Sequence, residues 1–185
     1  TGKLGTLARH TYRVADAPNC AQGACDYRKG DLWKSEDALG HAEEILAYDP
    51  GGRVRSRRDV QGTVFSYMYS PRGWMTEAKE ARSDGVIAST TLTYTPRGDV
   101  ASVTDADGIT LRFEYDAAGR LIQVANPSNH RLRFTLDAAG NRIADEGYDT
   151  LFLKTQIKRT FDALGRVETE THANNAVTQY TYDER

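Results

Sequence analysis

The sequence predicts an all-β fold: an antiparallel meander of β-hairpin repeats of about 21 residues, forming a curved, spiralling sheet. Three observations predict it. A turn closed by glycine recurs at a near-constant spacing, and a second turn recurs between those. The stretches between turns alternate apolar and polar residues with period two.

Taken in chain order, residues 1–26 fit the repeat poorly. They are expected to be an irregular segment or a partial repeat, with a strand near "RHTYRV". Residues 27–185 read as about seven repeats of one repeat domain. Their closing glycines fall at 30, 52, 73, 98, 119, 140 and 165, in steps of 21, 22 or 25 residues. A type I turn favours Asp, Asn or Ser first, Pro second and Gly fourth. The first position holds Asp49, Ser70, Thr95, Asp116, Asp137 and Asp162. The fourth holds Gly52, Gly73, Gly98, Gly119, Gly140 and Gly165. These are the expected structural turn residues, the glycine supplying the positive φ that returns the chain to a strand.

A second turn follows seven residues later, as "DALG" at 37–40, "DVQG" at 59–62, "DADG" at 105–108, "NPSN" at 126–129 and "HANN" at 172–175. The two 25-residue repeats carry longer loops there, at 80–89 and 146–155. Between turns, Ile109, Leu111, Phe113 and Tyr115 share one face, against Thr110, Arg112 and Glu114 on the other. Each repeat is thus two strands, about fourteen in all, and an open twisted sheet of more than ten strands curls. Residues 37–49 also have helical spacing at Ala42, Ile45 and Leu46. The repeat register favours a strand, with Glu44, Leu46 and Tyr48 in one column.

The repeated string Y-D-x-x-G-R plus an aliphatic residue, as in "YDAAGRLIQV" and "FDALGRVETE", resembles the YD repeat of the RHS family, and "LDAAGNRIAD" resembles its G-N-R variant. The resemblance implies a section of the hollow β-shell that encloses a C-terminal toxin in bacterial polymorphic toxins and toxin complexes, and that has counterparts in teneurins. It also implies adjacent repeats and a toxin or other cargo of the parent chain as partners, with a secreted or cell-surface location. "DPGG" at 49–52 is similar to part of the family's self-cleavage motif, but it occupies an ordinary repeat turn. The chain starts without Met and carries neither a signal peptide nor a toxin domain after Arg185, so it reads as a piece of shell wall.

Chemistry weighs little against this reading. Tyr48, Tyr69, Tyr94, Tyr115 and Tyr182 hold one column, which Leu136 and Phe161 also fill, so the shared property is a large packing body. Ser and Thr substitute for the turn carboxylates, which a catalytic acid does not tolerate. "DADGI" lacks the spacing of a calcium loop, and His10, His41, His130 and His172 are scattered. No catalytic residue, metal site or cofactor is expected. With 24 Lys and Arg against 26 Asp and Glu, no global field attracts nucleic acid, and no apolar run spans a membrane. Arg53, Arg55 and Arg57 form the one basic stripe, a candidate anion-binding face. A surface adhesion module reading a glycan or host protein is therefore the alternative function. Cys20 and Cys25 form either a local disulfide or two free thiols. Free sheet edges favour self-association.

Overall fold

The computed structural model describes residues 8–22, 25–82, 84–85 and 87–183. The chain divides into two compact units, residues 1–92 and 93–185.

The first unit contains β1 (Ala8–Tyr12), a short 3-10 turn (Pro18–Gln22), β2 (Leu32–Asp37), β3 (Ala42–Tyr48), β4 (Val54–Arg58), β5 (Val64–Tyr69), β6 (Met75–Ala81) and most of β7 (Ile87–Tyr94). Each strand pairs antiparallel with its sequence neighbour. The second unit continues with β8 (Val100–Thr104), β9 (Thr110–Tyr115), β10 (Leu121–Ala125), β11 (Arg131–Leu136), β12 (Arg142–Asp149), β13 (Phe152–Phe161), β14 (Val167–His172) and β15 (Val177–Gln179), again paired in order. The antiparallel meander is thus the architecture. β1 overlaps the stretch "RHTYRV", where a strand is expected, and within residues 37–49 Ala42–Tyr48 form β3 with no helix.

The register of β3 differs from the simple column. The pairing with β4 slips between Ile45 and Ala47, passing over Leu46, and slips back between Ala47 and Tyr48, passing over Arg55 on β4. Slips of the same kind recur beside the closing turns, as at Met68/Tyr69, Thr135/Leu136 and Thr160/Phe161. Such bulges place one extra residue against the partner strand and sharpen its twist.

A meander has no second layer of its own. Among the described residues only Ala17 and Ala47 are buried, at 5% and 6% exposure. Packing occurs instead along cross-strand rows, such as Phe113, Val124 and Leu132 across β9, β10 and β11. With so little core, order depends on what holds the turns.

Candidate functional site

The closing turns share one geometry. In Asp116–Gly119 the Gly119 amide donates to the Asp116 carbonyl at 2.9 Å, and the Asp116 amide donates to the Arg120 carbonyl at 2.9 Å. The Asp116 carboxylate then accepts from the Ala118 and Arg120 amides at 2.9 Å each. Asp49 and Asp162 repeat this with Gly51 and Arg53, and with Leu164 and Arg166. Ser70 and Thr95 accept one amide each, from Trp74 and Asp99, at 3.2 Å. All six glycines have φ between 76° and 104°.

The second carboxylate oxygen of each aspartate is also occupied. Arg53, Arg120 and Arg166 donate Nε to Asp49, Asp116 and Asp162 at 2.6, 2.7 and 2.8 Å. Asn141 donates to Asp137 at 2.9 Å. These bonds hold the four carboxylates below the usual aspartate range, chiefly through the Arg53 side chain for Asp49, the Asn141 side chain for Asp137, and the Arg120 and Arg166 amides for Asp116 and Asp162.

The same arginines reach the next turn. Arg120 donates from Nη1 to the Asp137 carbonyl at 3.0 Å. Arg53 lies 4.7 Å from the Tyr69 ring, and its Nη1 stands 2.5 Å from where a Cβ on Gly73 would sit. Arg166 lies 4.3 Å from the Tyr182 ring. In the Pro-containing turn at 95–98, Arg97 holds this office from the third position, donating to the Ala117 and Ala118 carbonyls at 2.9 and 3.3 Å.

The tyrosine column adds a second tie. Tyr48, Tyr69, Tyr115 and Tyr182 donate their hydroxyls to the carbonyls of Leu32, Val54, Val100 and Val167, at 2.7 to 2.9 Å. Each acceptor lies two residues after the preceding closing glycine. Burial raises the Tyr48, Tyr69 and Tyr115 hydroxyls above the usual phenol value, so they stay protonated donors. Leu136 and Phe161 fill the column without a hydroxyl. Ring packing accounts for this column in the sequence, whereas its hydrogen bond crosses to a backbone carbonyl that the pattern does not show. For the arginines a signal was present in the chain itself: Asp at the first turn position goes with Arg or Asn four residues on, while Ser70 goes with Trp74 and Thr95 with Asp99.

Each arginine of the basic stripe is ion-paired. Arg53 pairs with Asp49 at 2.5 Å, Arg55 with Asp26, and Arg57 with Glu43 at 2.7 Å while it also donates to the Tyr67 hydroxyl at 2.8 Å. In the second unit a charged chain crosses the row that is apolar elsewhere. Arg142 and Arg159 pair with Asp145, Arg159 with Glu170, and Tyr180 donates to Glu170, all between 2.7 and 2.9 Å. An open groove of about 410 Å³ lies nearby, lined by Leu111, Val124, Leu132, Gly147 and Thr155.

A meander of hairpins tied turn to turn defines a β-repeat protein. The RHS repeat model matches residues 94–131 and 115–148. The match to RHS repeats thus runs over residues 94–148. It is similar, at 33% identity over 99 residues, to double-stranded DNA deaminase toxin A of Burkholderia cenocepacia (strain H111), covering 49% of this chain and 7% of that protein. Two solved structures share the fold. The crystal structure of TcdB2-TccC3-Cdc42 matches with TM-score 0.68 at 16% identity, covering 95% of this chain and 10% of that one. That of TcdB2-TccC3 matches with TM-score 0.68 at 16% identity, covering 96% and 10%. The chain therefore spans a tenth or less of the length of these relatives.

Proposed function

We propose that the chain is a wall segment of a toxin-associated RHS shell, which encloses a toxin or other cargo of its parent protein and does no chemistry of its own. The observation that supports this most is the clamped turn. Its carboxylates, arginines and tyrosines, the residue types from which a catalytic site is usually built, are spent on backbone groups of their own and the next turn. A wall needs such ties, because a single layer of strands has little core to hold it. Adjacent repeats of the parent protein pair with this segment in the same way. The parent is exported to the cell surface or beyond, and the Cys20–Cys25 disulfide is in keeping with an oxidising compartment.

Limited proteolysis of the parent protein tests enclosure. Its cargo segment is expected to survive trypsin while the repeats stay folded, and to be cut once mild denaturant opens them. Equal cutting of the cargo with the repeats folded would sink the shell reading. Heparin chromatography at low salt tests the adhesion alternative. Little retention is expected, since Arg53, Arg55 and Arg57 are already paired. Strong retention that R53A, R55A and R57A abolish would instead favour a surface-binding module.

A further inference from the structure

The link between β1 and β2 is unlike the tight turns described elsewhere in the chain. After Tyr12 the backbone stays paired for one more step, with Arg13 and Gly30 amides bonded to the Asp31 and Arg13 carbonyls at 2.8 and 2.9 Å. Beyond that step, residues 14–22 and 25–29 turn back toward β3. Ala17 donates to the Tyr27 carbonyl at 3.0 Å, and Asn19 donates to the Asp26 carboxylate at 2.7 Å. A disulfide joins Cys20 and Cys25, five positions apart.

This link lies beside the part of β3 that β2 does not pair with. Pairing of β2 with β3 covers only Lys34, Ser35 and Glu36 against Glu44, Glu43 and Ala42. Past that point the Tyr48 amide donates to the Asp26 carbonyl at 2.5 Å, and Arg13 donates to the Ile45 carbonyl at 3.0 Å. Arg13 is itself stacked, 3.9 Å from the Tyr27 ring and 5.1 Å from the Trp33 ring. Asp26 also pairs with Arg55 on β4. The two buried residues of the described chain are Ala17 in the link and Ala47 in β3. A cleft of about 240 Å³, lined by Cys25, Tyr27, Asp31, Tyr48 and Pro50, brings solvent to the Cys25 side of the bridge.

We propose that the Cys20–Cys25 bridge is a redox latch. Oxidised, it holds the link as a strap on β3 and β4; reduced by a dithiol, it lets the strap leave while the repeats remain folded. A thiolate of the dithiol attacks Cys25 Sγ from the cleft, the S–S bond breaks, and Cys20 departs as a thiolate that takes up a proton. The second thiol of the reductant then displaces Cys25, so two electrons pass to the protein pair and the reductant is left as its own disulfide. The bridge joins the Ala17 side of the strap to the Asp26 side, the two residues through which it grips. Opening so small a ring raises the strap's opening constant about forty-fold on the loop-entropy account. The Tyr48 amide and Arg55 then lose Asp26 together, and Arg13 loses the Tyr27 ring.

Hydrogen exchange on the intact chain, with and without dithiothreitol, tests this, with alkylation of two thiols confirming reduction. The Ala17 and Tyr48 amides are expected to exchange about forty-fold faster after reduction, while the Gly119 amide keeps its rate. The double variant C20S/C25S is expected to show the reduced pattern without any reductant. Unchanged protection of Ala17 and Tyr48 after full reduction would overturn the proposal. So would loss of protection at Gly119 in step with them, or a bridge that dithiothreitol reduces only in denaturant.

Discussion

The closing turns and the intervening turns begin from the same chemistry and end in different roles. Asp59 and Asp105 accept two amides each at 2.9 to 3.0 Å, as Asp116 does, and Gly62 and Gly108 carry φ of 84° and 80°. The closing turns add a guanidinium or amide on the second carboxylate oxygen, and several reach a carbonyl or ring of the next turn. At the intervening turns Asn129 and Asn175 replace glycine at φ of 61° and 62°, and the added partners are histidines, His41 on Asp37 and His130 on Asp149 of the next loop, at 2.9 Å each. Both sets of turns reverse the chain; the closing set carries the guanidinium ties from repeat to repeat.

The contrast is broken most directly at the glycines. Gly119→Ala is expected to cost about 2 kcal/mol, since a left-handed non-glycine residue costs roughly 1–2 kcal/mol and its Cβ also meets the Arg97 guanidinium. Gly108→Ala, with nothing within 4 Å of its Cβ, is expected to cost about half as much. Asn in place of Gly108 is expected to be nearly neutral, and in place of Gly119 it is not. Urea midpoints of the four variants measure this. Equal losses at both glycines would remove the distinction between the turns.

Acid sharpens the same comparison. Asp49, Asp116, Asp137 and Asp162 have folded values below the unfolded 3.8. The stability they contribute is therefore complete above the unfolded value and is lost as pH falls through the lower folded one. Melting temperatures are expected to hold from neutrality to about pH 5 and to drop below pH 4. D116A is expected to melt several degrees lower than the parent at pH 7, and to lose less than the parent on further acidification. A parallel acid profile for D116A would assign the acid sensitivity to other groups.

Much of this was legible in the residues. Turn glycines, strand alternation and the tyrosine column all repeat, and repetition converts weak local preferences into register. The features that escaped are those in which a side chain reaches across strands. Arg53 reads as free charge until its two neighbours in space, Asp49 and the turn at Gly73, are known. Asp145, Arg159 and Glu170 sit at repeat positions that hold Val124, Phe134 and Val103 elsewhere, so apolar patterning predicts packing where an ion chain stands. Their side chains are 22%, 18% and 21% exposed, which leaves them partly desolvated and mutually dependent. The strap beside β3 rests on bonds of Arg13 and Asp26, which no periodicity encodes.

The tyrosine hydroxyls separate the two parts of the motif with smaller effects. Tyr115→Phe removes the bond to the Val100 carbonyl and keeps the ring, so a loss of about 1 kcal/mol is expected, read from the urea midpoint.

The reverse change gives the smallest effect and tests the rule where the chain departs from it. Phe161 stands in the column without a hydroxyl, and Arg142 lies two residues after Gly140, where the acceptor of a column tyrosine stands. Lys158 pairs with Ala144 across β12 and β13, which sets Phe161 against Arg142 much as Tyr115 is set against Val100. Phe161→Tyr is therefore expected to stabilise the second unit by up to about 1 kcal/mol, with a protected hydroxyl proton visible by NMR. A loss of stability would mean that the slip beside Arg142, at Thr135/Leu136, turns that carbonyl away from the column.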